Sequence, residues 1–519
     1  MAGFTNSRRD LLLPLGSGLI TLLAFPPMSI APLAFVGLVP LFIWLDRPHP
    51  ARTLLRGGLA FAVPYVAGCI YWMFALGSVT PLGLLAATIV VTMYVSTFFI
   101  FPIVVNAVQH TVRWPLPLFA PFLWIVSEHA RGYSDMAFPV VTLGYALCEW
   151  PSLLQHADLV GVWGVSAWVA FVNAAIAAAI TSRDDRRARL RWIGALVVAL
   201  ALPACYGASR WRAIEEEMAR APSLRVALLQ PNIAQQKKWN VRTVDEIYER
   251  LDRLVREAEA TNPDLVVGPE ASFPIVQPVD AVRLPDEISA GTRPLLLGSV
   301  LGIGEGVERT AGTRRYRAYD VHYNAAVLAD AARRILGRHD KVYLVPVAER
   351  LPYARFFGGL LPLMEKQFGR FRPGSELRVL NAPTPDGPVP FGALVCYESL
   401  FPDLARRLTA GGARFLANIS NDAWFGRTSF PYQHAGLCAL RAIENRRSVV
   451  RSANTGISAA YDPLGRLVAK TDIFQEAILT REIPLLTTET AYAFVGDAVL
   501  WLAYAVVAAC LAAAWRRRR

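Results

Sequence analysis

Phe391-Gly392-Ala393-Leu394-Val395-Cys396-Tyr397-Glu398-Ser399-Leu400-Phe401-Pro402 reads as an apolar strand that ends on a cysteine, passes a carboxylate and turns at a proline. A helix is predicted next, over 401–410, so strand, turn and helix follow in immediate succession. The same alternation extends outward from this stretch. Residues 224–229 form a predicted strand, and the segment after it carries Ile247, Leu251, Leu254, Val255 and Ala258 on one helical face. Further strands are predicted at 265–268, 295–300, 323–328, 414–419, 449–453 and 458–461, and a helix at 434–445. Short strands alternating with amphipathic helices predict one α/β domain with a stacked-sheet core, over residues 211–489.

The flanks differ in composition. Of 519 residues, 54% are hydrophobic and 18% charged, where a soluble chain carries roughly a quarter charged, and mean hydropathy is +0.33. The excess lies before about residue 207 and after about residue 489, which excludes an ordinary cytosolic enzyme and any disordered or collagenous class. A bilayer core takes about 20 apolar residues per helix. Seven candidates precede the α/β domain, at 11–24, 30–45, 57–76, 82–108, 115–127, 159–181 and 191–207, and an eighth spans 491–515. The organisation expected is a polytopic α-helical membrane domain over 1–210, the α/β domain over 211–489, and a C-terminal transmembrane helix with a basic tail over 490–519.

The net charge of +12 comes almost wholly from arginine. These arginines lie between apolar segments and no nucleic-acid motif accompanies them, so the charge reads as topology. Arginine collects on cytoplasmic loops. Arg8, Arg9, Arg47, Arg52, Arg56, Arg113, the five from Arg183 to Arg191 and the four from Arg516 onward fall on one side, with Arg131 alone in the short loops opposite. Both termini are therefore expected in the cytoplasm and the α/β domain outside it, in the periplasm of a bacterium. Ser7-Arg8-Arg9 resembles a twin-arginine signal and 11–31 a cleavable leader, but the apolar segments downstream favour an uncleaved first span. The six cysteines include no C-x-x-C pair and the seven histidines no ligand spacing, so neither a disulfide framework nor a metal site is expected.

Three residues sit just beyond predicted strands, where a layered fold exposes side chains. Cys396, beside a carboxylate, is a candidate nucleophile, with a buried inert cysteine as the alternative. Glu270 lies in Val266-Val267-Gly268-Pro269-Glu270-Ala271-Ser272-Phe273-Pro274, a turn stiffened at both ends by proline, and is a candidate base or a solvated turn residue. Lys341 is one of only five lysines. It marks a site needing a compact ammonium, unless codon drift put it there.

In order and spacing Glu270, Lys341 and Cys396 resemble the carbon-nitrogen hydrolase (nitrilase) superfamily. Within it, Cys396-Tyr397-Glu398 with Phe401-Pro402, Asn418-Ile419-Ser420-Asn421-Asp422-Ala423-Trp424-Phe425-Gly426, Gln433-His434, Arg441-Ala442-x-Glu444-Asn445-Arg446 and Asn454-Thr455-Gly456-Ile457-Ser458 closely resemble the apolipoprotein N-acyltransferase family. That family also has several spans before the domain and one after it, so the resemblance covers essentially the whole chain. It implies a nitrilase-like α-β-β-α sandwich at the bacterial inner membrane, and no metal or organic cofactor. The implied reaction moves a fatty acyl chain from a membrane phospholipid to the α-amino group of an apolipoprotein's N-terminal S-diacylglyceryl cysteine, through a thioester on Cys396, as the last step of lipoprotein maturation. Carried over by position, Glu270 is the base, Lys341 the oxyanion-stabilising cation and Cys396 the nucleophile. Glu349 orients the lysine and Glu398 is a third supporting carboxylate. Asn324, Tyr397, Trp239 and Trp424 match positions near the site or its entrance. Val347-Ala348 and Arg350 depart from the family's Phe-Gly and Tyr, which touches packing and substrate fit more than chemistry.

Residues 351–371 hold Phe356, Phe357, Leu360, Leu361, Leu363, Met364, Phe368 and Phe371, too apolar for an ordinary exposed loop. With Gly358-Gly359 they predict a lid that dips toward the membrane surface, a buried core segment being the alternative. The expected partners are a phospholipid acyl donor and a diacylglyceryl apolipoprotein acceptor, with no nucleic acid, on a monomeric protein. Two other functions fit parts of the pattern. A membrane-tethered amidase or nitrilase acting on a small periplasmic substrate would use the same triad with water in place of the amine. A non-catalytic scaffold would have no need of intact Glu270, Lys341 and Cys396.

Overall fold

The computed structural model describes residues 8–78, 81–311, 314–360, 362, 365 and 370–517. Two compact units separate, one within Met1–Gly77, Leu84–Arg212 and Phe494–Arg519, the other within Ser78–Gly83 and Ala213–Ala493.

The first unit is helical. Ala51–Gly77, Gly83–Val112, Ala157–Thr181, Arg186–Arg220 and Ala498–Arg516 are long and apolar enough to cross a membrane, whereas Leu12–Leu23 and Ala31–Leu45 are shorter, as is Ala120–Gly132. The seventh apolar stretch continues through Pro203 to Arg220, so its helix carries the boundary between the units. The last stretch divides at Gly496, whose φ of 54° leaves the helical region, into Ala491–Val495 and Ala498–Arg516. Some buried polar groups inside this unit bond to neighbouring segments. Asn173 accepts from Leu38 N at 2.8 Å and donates to Ala34 O at 2.8 Å, the kind of cross-link that holds helices together where hydrophobicity cannot sort them. Arg131 is not a loop residue as its sequence position suggested. It ends the helix Ala120–Gly132, buried, with its guanidinium 5.2 and 5.0 Å from the ring centroids of Tyr94 and Phe98.

The second unit is α/β. Its strands are β1 (Ser223–Gln230), β2 (Leu265–Val267), β3 (Gln277–Pro278), β4 (Leu295–Ile303), β5 (Val307–Ala311), β6 (Arg314–Ala318), β7 (Val321–Ala329) and β8 (Ile335–Asp340), then β9 (Arg370–Phe371), β10 (Val379–Thr384), β11 (Gly387–Val395), β12 (Phe415–Ser420), β13 (Ser448–Ala453), β14 (Ala459–Tyr461), β15 (Leu467–Lys470) and β16 (Ala477–Pro484). One sheet has the order β16-β1-β2-β4-β7-β8, with β3 beside β4 and β9 beside β7. The other has the order β10-β11-β12-β13-β14-β15, and β5 pairs with β6 alone.

The period-two alternation of the strands builds four layers. On β1, Leu224, Val226 and Leu228 face a core shared with Phe391, Ala393 and Val395 of β11 and with Phe415, Ala417 and Ile419 of β12. Ala227 and Leu229 face the other way, against Tyr248, Leu251, Leu254 and Val255 of the helix Val244–Ala260. That helix begins with Asp245 and Glu246 in its first turn, a favourable placement at the positive end of the helix dipole. Each fully buried leucine or valine here contributes roughly 1.5–3 kcal/mol. Helices Pro402–Ala410 and Phe430–Asn445 cover the opposite face of the second sheet, along β11 and β13. Gly392 allows the close approach, since a β-carbon there would stand 2.8 Å from Leu408 Cβ. The result is an α-β-β-α sandwich in which the turns after β2, β8, β11 and β12 carry the polar residues described next.

Candidate active site

Cys396 is the first residue after β11 and has φ 52°, a left-handed conformation that costs a non-glycine residue about 1–2 kcal/mol. The chain holds it there through the cysteine's own carbonyl. That oxygen accepts from Ser399 Oγ at 3.0 Å and Asn418 Nδ2 at 3.3 Å, and lies 3.2 Å from His434 Nε2. His434 is in turn fixed by Asp422, whose Oδ1 is 3.1 Å from Nδ1. Asp422 Oδ2 accepts from Arg451 Nη2 at 2.7 Å, and Arg451 also reaches Asn418 Oδ1. Burial opposes the charge on Asp422, but the Arg451 guanidinium and His434 outweigh it and hold the carboxyl well below the usual range. Burial and the same guanidinium push His434 down, so the ring is neutral.

Glu398 ties this turn to the other sheet. Its Oε2 accepts from Val395 N at 2.8 Å and lies 3.0 Å from His339 Nε2, while Oε1 accepts from Val342 N at 2.6 Å. The carboxylate thus clamps the residue before Cys396 to the residue after Lys341. Burial disfavours both charges of the pair, yet each partner outweighs it for the other, so Glu398 is lowered and His339 raised.

On the eight-stranded sheet a second cluster forms around Asn324 of β7. Its Nδ2 donates to Glu270 Oε1 at 2.7 Å and to Glu349 Oε1 at 2.9 Å. Lys341 Nζ donates to the same two oxygens, at 3.3 and 2.9 Å, and its backbone N donates to Asn324 O at 2.7 Å. Glu270 Oε2 accepts from Asn421 N, after β12, at 3.0 Å. Burial works against the charge on Lys341, but Glu349 and Glu270 outweigh it and raise the ammonium further, so it is permanently protonated. For Cys396 the balance runs the other way. Burial of the sulfur and then the Glu270 charge push the thiol up, and Lys341 pulls it only partly back. At neutral pH this is a thiol, and nucleophilic chemistry there requires a base.

Glu270, Lys341, Glu349 and Asn324 are thus in one hydrogen-bonded cluster, and Glu398 links Val342, beside Lys341, to Val395, beside Cys396. Tyr397 is buried, its ring edge-on to Phe401 at 4.9 Å. Trp424 is half-buried, whereas Trp239 and Phe356 are at the surface, Phe356 being 82% exposed. Phe356 sits on the short helix Ala354–Phe357. The side chains of Phe357 and Leu360, and Leu361, Leu363, Met364 and Phe368 altogether, lie outside the described residues. Val347, one of the departures from the family string, has φ 68°, a conformation a β-branched residue adopts only under constraint. The constraint is the turn that presents Glu349, closed by Val347 N to Arg350 O at 2.7 Å. No group of His, Cys, Asp and Glu among the described residues is arranged to hold a metal ion.

Sequence reasoning gave no role to Asn421, His434, Asp422, Arg451 or His339, although most lie inside the quoted strings. It also passed over Lys238, whose Nζ is buried and donates to Glu270 O at 3.0 Å. The scarcity of lysine that singled out Lys341 applied to it equally.

Residues 225–492 match the carbon-nitrogen hydrolase family model and residues 17–175 the model of the apolipoprotein N-acyltransferase N-terminal domain. The apolipoprotein N-acyltransferase of Geobacter metallireducens is 34% identical, over 98% of this chain and 96% of its own. The chain belongs to the apolipoprotein N-acyltransferase family. The family's member from Chlorobaculum tepidum is 30% identical over 97% of each chain. Membership makes this protein an acyltransferase with a nitrilase-like domain, and its apolar helices fit a membrane protein. Among solved structures, an amidase from Nesterenkonia sp. is 19% identical and covers 54% of this chain and 96% of its own, with a TM-score of 0.36.

Proposed function

We propose that this protein transfers a fatty acyl chain from a membrane phospholipid to the α-amino group of the N-terminal S-diacylglyceryl cysteine of apolipoproteins, through a thioester on Cys396. The observation that carries this reading is a protonated thiol that faces a carboxylate fixed by three donors and an ammonium shared between two carboxylates. In the first half-reaction Glu270 takes the thiol proton as sulfur attacks the donor's ester carbonyl. Lys341 and the backbone N–H of Tyr397 meet the tetrahedral oxyanion, each well-placed donor being worth about 3 kcal/mol. The oxyanion collapses, Glu270 returns the proton to the leaving lysophospholipid alkoxide, and the acyl group remains on sulfur. In the second half-reaction the acceptor's amine attacks the thioester, Glu270 takes the amine proton and passes it to the departing sulfur, which leaves as the thiol. Glu349 keeps Lys341 in place through both halves. One chain supplies every group used.

The arginine distribution supports an inner-membrane protein with both termini in the cytoplasm and the α/β unit in the periplasm. Exposed Phe356, with Trp239 and Trp424, supports an apolar entrance for lipid substrates. Replacing Phe356 and Phe357 with serine is expected to slow turnover without changing the thermal transition, and a collapsed transition would mean these rings are core. The reaction itself is tested by incubating detergent-purified protein with phospholipid and a diacylglyceryl-cysteine peptide and weighing the peptide. An acylated peptide formed by wild type and not by Cys396→Ala is expected. Release of free fatty acid without acylated peptide would overturn the assignment in favour of a hydrolase.

A further inference from the structure

Two adjacent lysines close the short helix Gln235–Lys238 and have opposite environments. Lys237 is exposed and pairs with Glu246 at 3.1 Å, as surface lysines do. Lys238 is only 1% exposed, a state lysine adopts almost only when paired. No carboxylate oxygen among the described residues lies within ion-pair distance of it. Its Nζ donates instead to the backbone oxygen of Glu270 at 3.0 Å. The titratable groups that face it are Glu270, on the turn after β2, and Cys396, on the turn after β11. Burial, partly offset by these two, lowers its ammonium to about 8.

A count of charges gives this lysine a purpose. Glu398 is balanced by His339 and Asp422 by Arg451, within their own contacts. Glu270, Glu349 and Lys341 then leave one negative charge unbalanced in a buried site, an arrangement that is expensive without a counter-ion. The Lys238 ammonium makes the set neutral. Neutrality also survives the reaction. When the thiol proton moves to Glu270, that carboxyl becomes neutral and the negative charge appears on the tetrahedral oxygen, so the total is unchanged.

We propose that Lys238 is a positioning residue of the acyl-transfer site, fixing the backbone of Glu270 and supplying the second buried positive charge that leaves Lys341 free to meet the oxyanion. This rests on the acyl-enzyme reading above, so its test uses a readout independent of acyl transfer. Alkylation of Cys396 by iodoacetamide, followed against pH by peptide mass in the full-length protein, reports thiolate formation whether or not phospholipid reacts. Lys238→Gln keeps a donor for the Glu270 carbonyl and removes the charge. It is expected to move the alkylation inflection up by about one pH unit and to slow acylation by phospholipid roughly tenfold with little change in KM, whereas Lys238→Arg keeps the wild-type inflection. An unmoved inflection in a folded Lys238→Gln protein overturns the proposal. If that variant does not fold, Lys238→Arg decides. Arginine keeps the charge, so the wild-type inflection is expected in that variant, and an inflection raised by about one pH unit despite the retained charge overturns the proposal as well. Wild type that alkylates as expected but never accepts an acyl group would overturn the acyl-enzyme reading instead.

Discussion

The two sheets bring different kinds of residue to one site. From the eight-stranded sheet come Glu270, Asn324 and Lys341, groups that share protons and set the local charge. From the six-stranded sheet comes Cys396, surrounded by Asn418, Asp422, His434 and Arg451, which bond its carbonyl or one another. The first half tunes ionisation, and the second fixes a strained backbone. Glu398 joins them through Val342 N and His339, and Asn421 N joins them through Glu270. A site divided in this way separates the charge balance around Glu270 and Lys341 from the backbone geometry of Cys396, and substitutions on the two sides are expected to fail differently.

The sharpest break is expected on the proton side. Glu270→Gln is expected to lower kcat/KM by about 10²–10⁴ and Lys341→Met by about 10²–10³ in steady-state assays, and Lys341→Met, which leaves two buried carboxylates without their ammonium, also lowers the thermal transition. Lys341→Arg does not rescue the loss, because a planar fork cannot occupy the ammonium's place between two carboxylates.

The seam comes next. Glu398→Gln leaves a buried imidazolium without its partner and is expected to destabilise the α/β unit by roughly 3–5 kcal/mol, read as a lower denaturation midpoint. On the geometric side, His434→Ala leaves Asp422 and Cys396 O short of a partner, at about 1–3 kcal/mol. Its rate falls while its pH profile keeps the wild-type shape, and a shifted profile would end the division between the halves.

The smallest effect is in the pH dependence of stability. His339 is raised, so its contribution is complete below the unfolded value of about 6.5 and is lost as pH rises through its higher folded value. Glu398 is lowered, so its contribution is present above about 4.3 and is lost as pH falls through its lower folded value. The pair is therefore strongest between about pH 4.3 and 6.5. His339→Gln is expected to flatten the decline in thermal midpoint on the alkaline side of that window.

The same contrast explains what was legible in the sequence. β1, β4, β11 and β12 lie where apolar residues run together, and their alternation declared both sheets. β10 and β16 expose polar residues such as Asn381 and Arg481, and β8 is half polar, with Arg338, His339 and Asp340, so no long apolar run marks them. Cys396 and Glu270 stood out because a strand end and a proline turn are local features. Lys238 did not, because a lysine beside a lysine reads as surface until the carbonyl of Glu270, 32 residues away, is brought to it. In the helical unit, composition located the apolar stretches, but the division at Gly496 and the burial of Arg131 depend on neighbours that hydropathy cannot supply.

The central claim is that Cys396 carries the acyl group between two lipids. Its most direct test is to mix the purified protein with a phospholipid labelled on one acyl chain and look for label on Cys396 that neutral hydroxylamine releases. Such an adduct is expected in wild type and none in Cys396→Ala, with a synthetic diacylglyceryl-cysteine peptide discharging it as an amide. A folded protein that acylates the peptide while no label ever resides on Cys396 would contradict that claim.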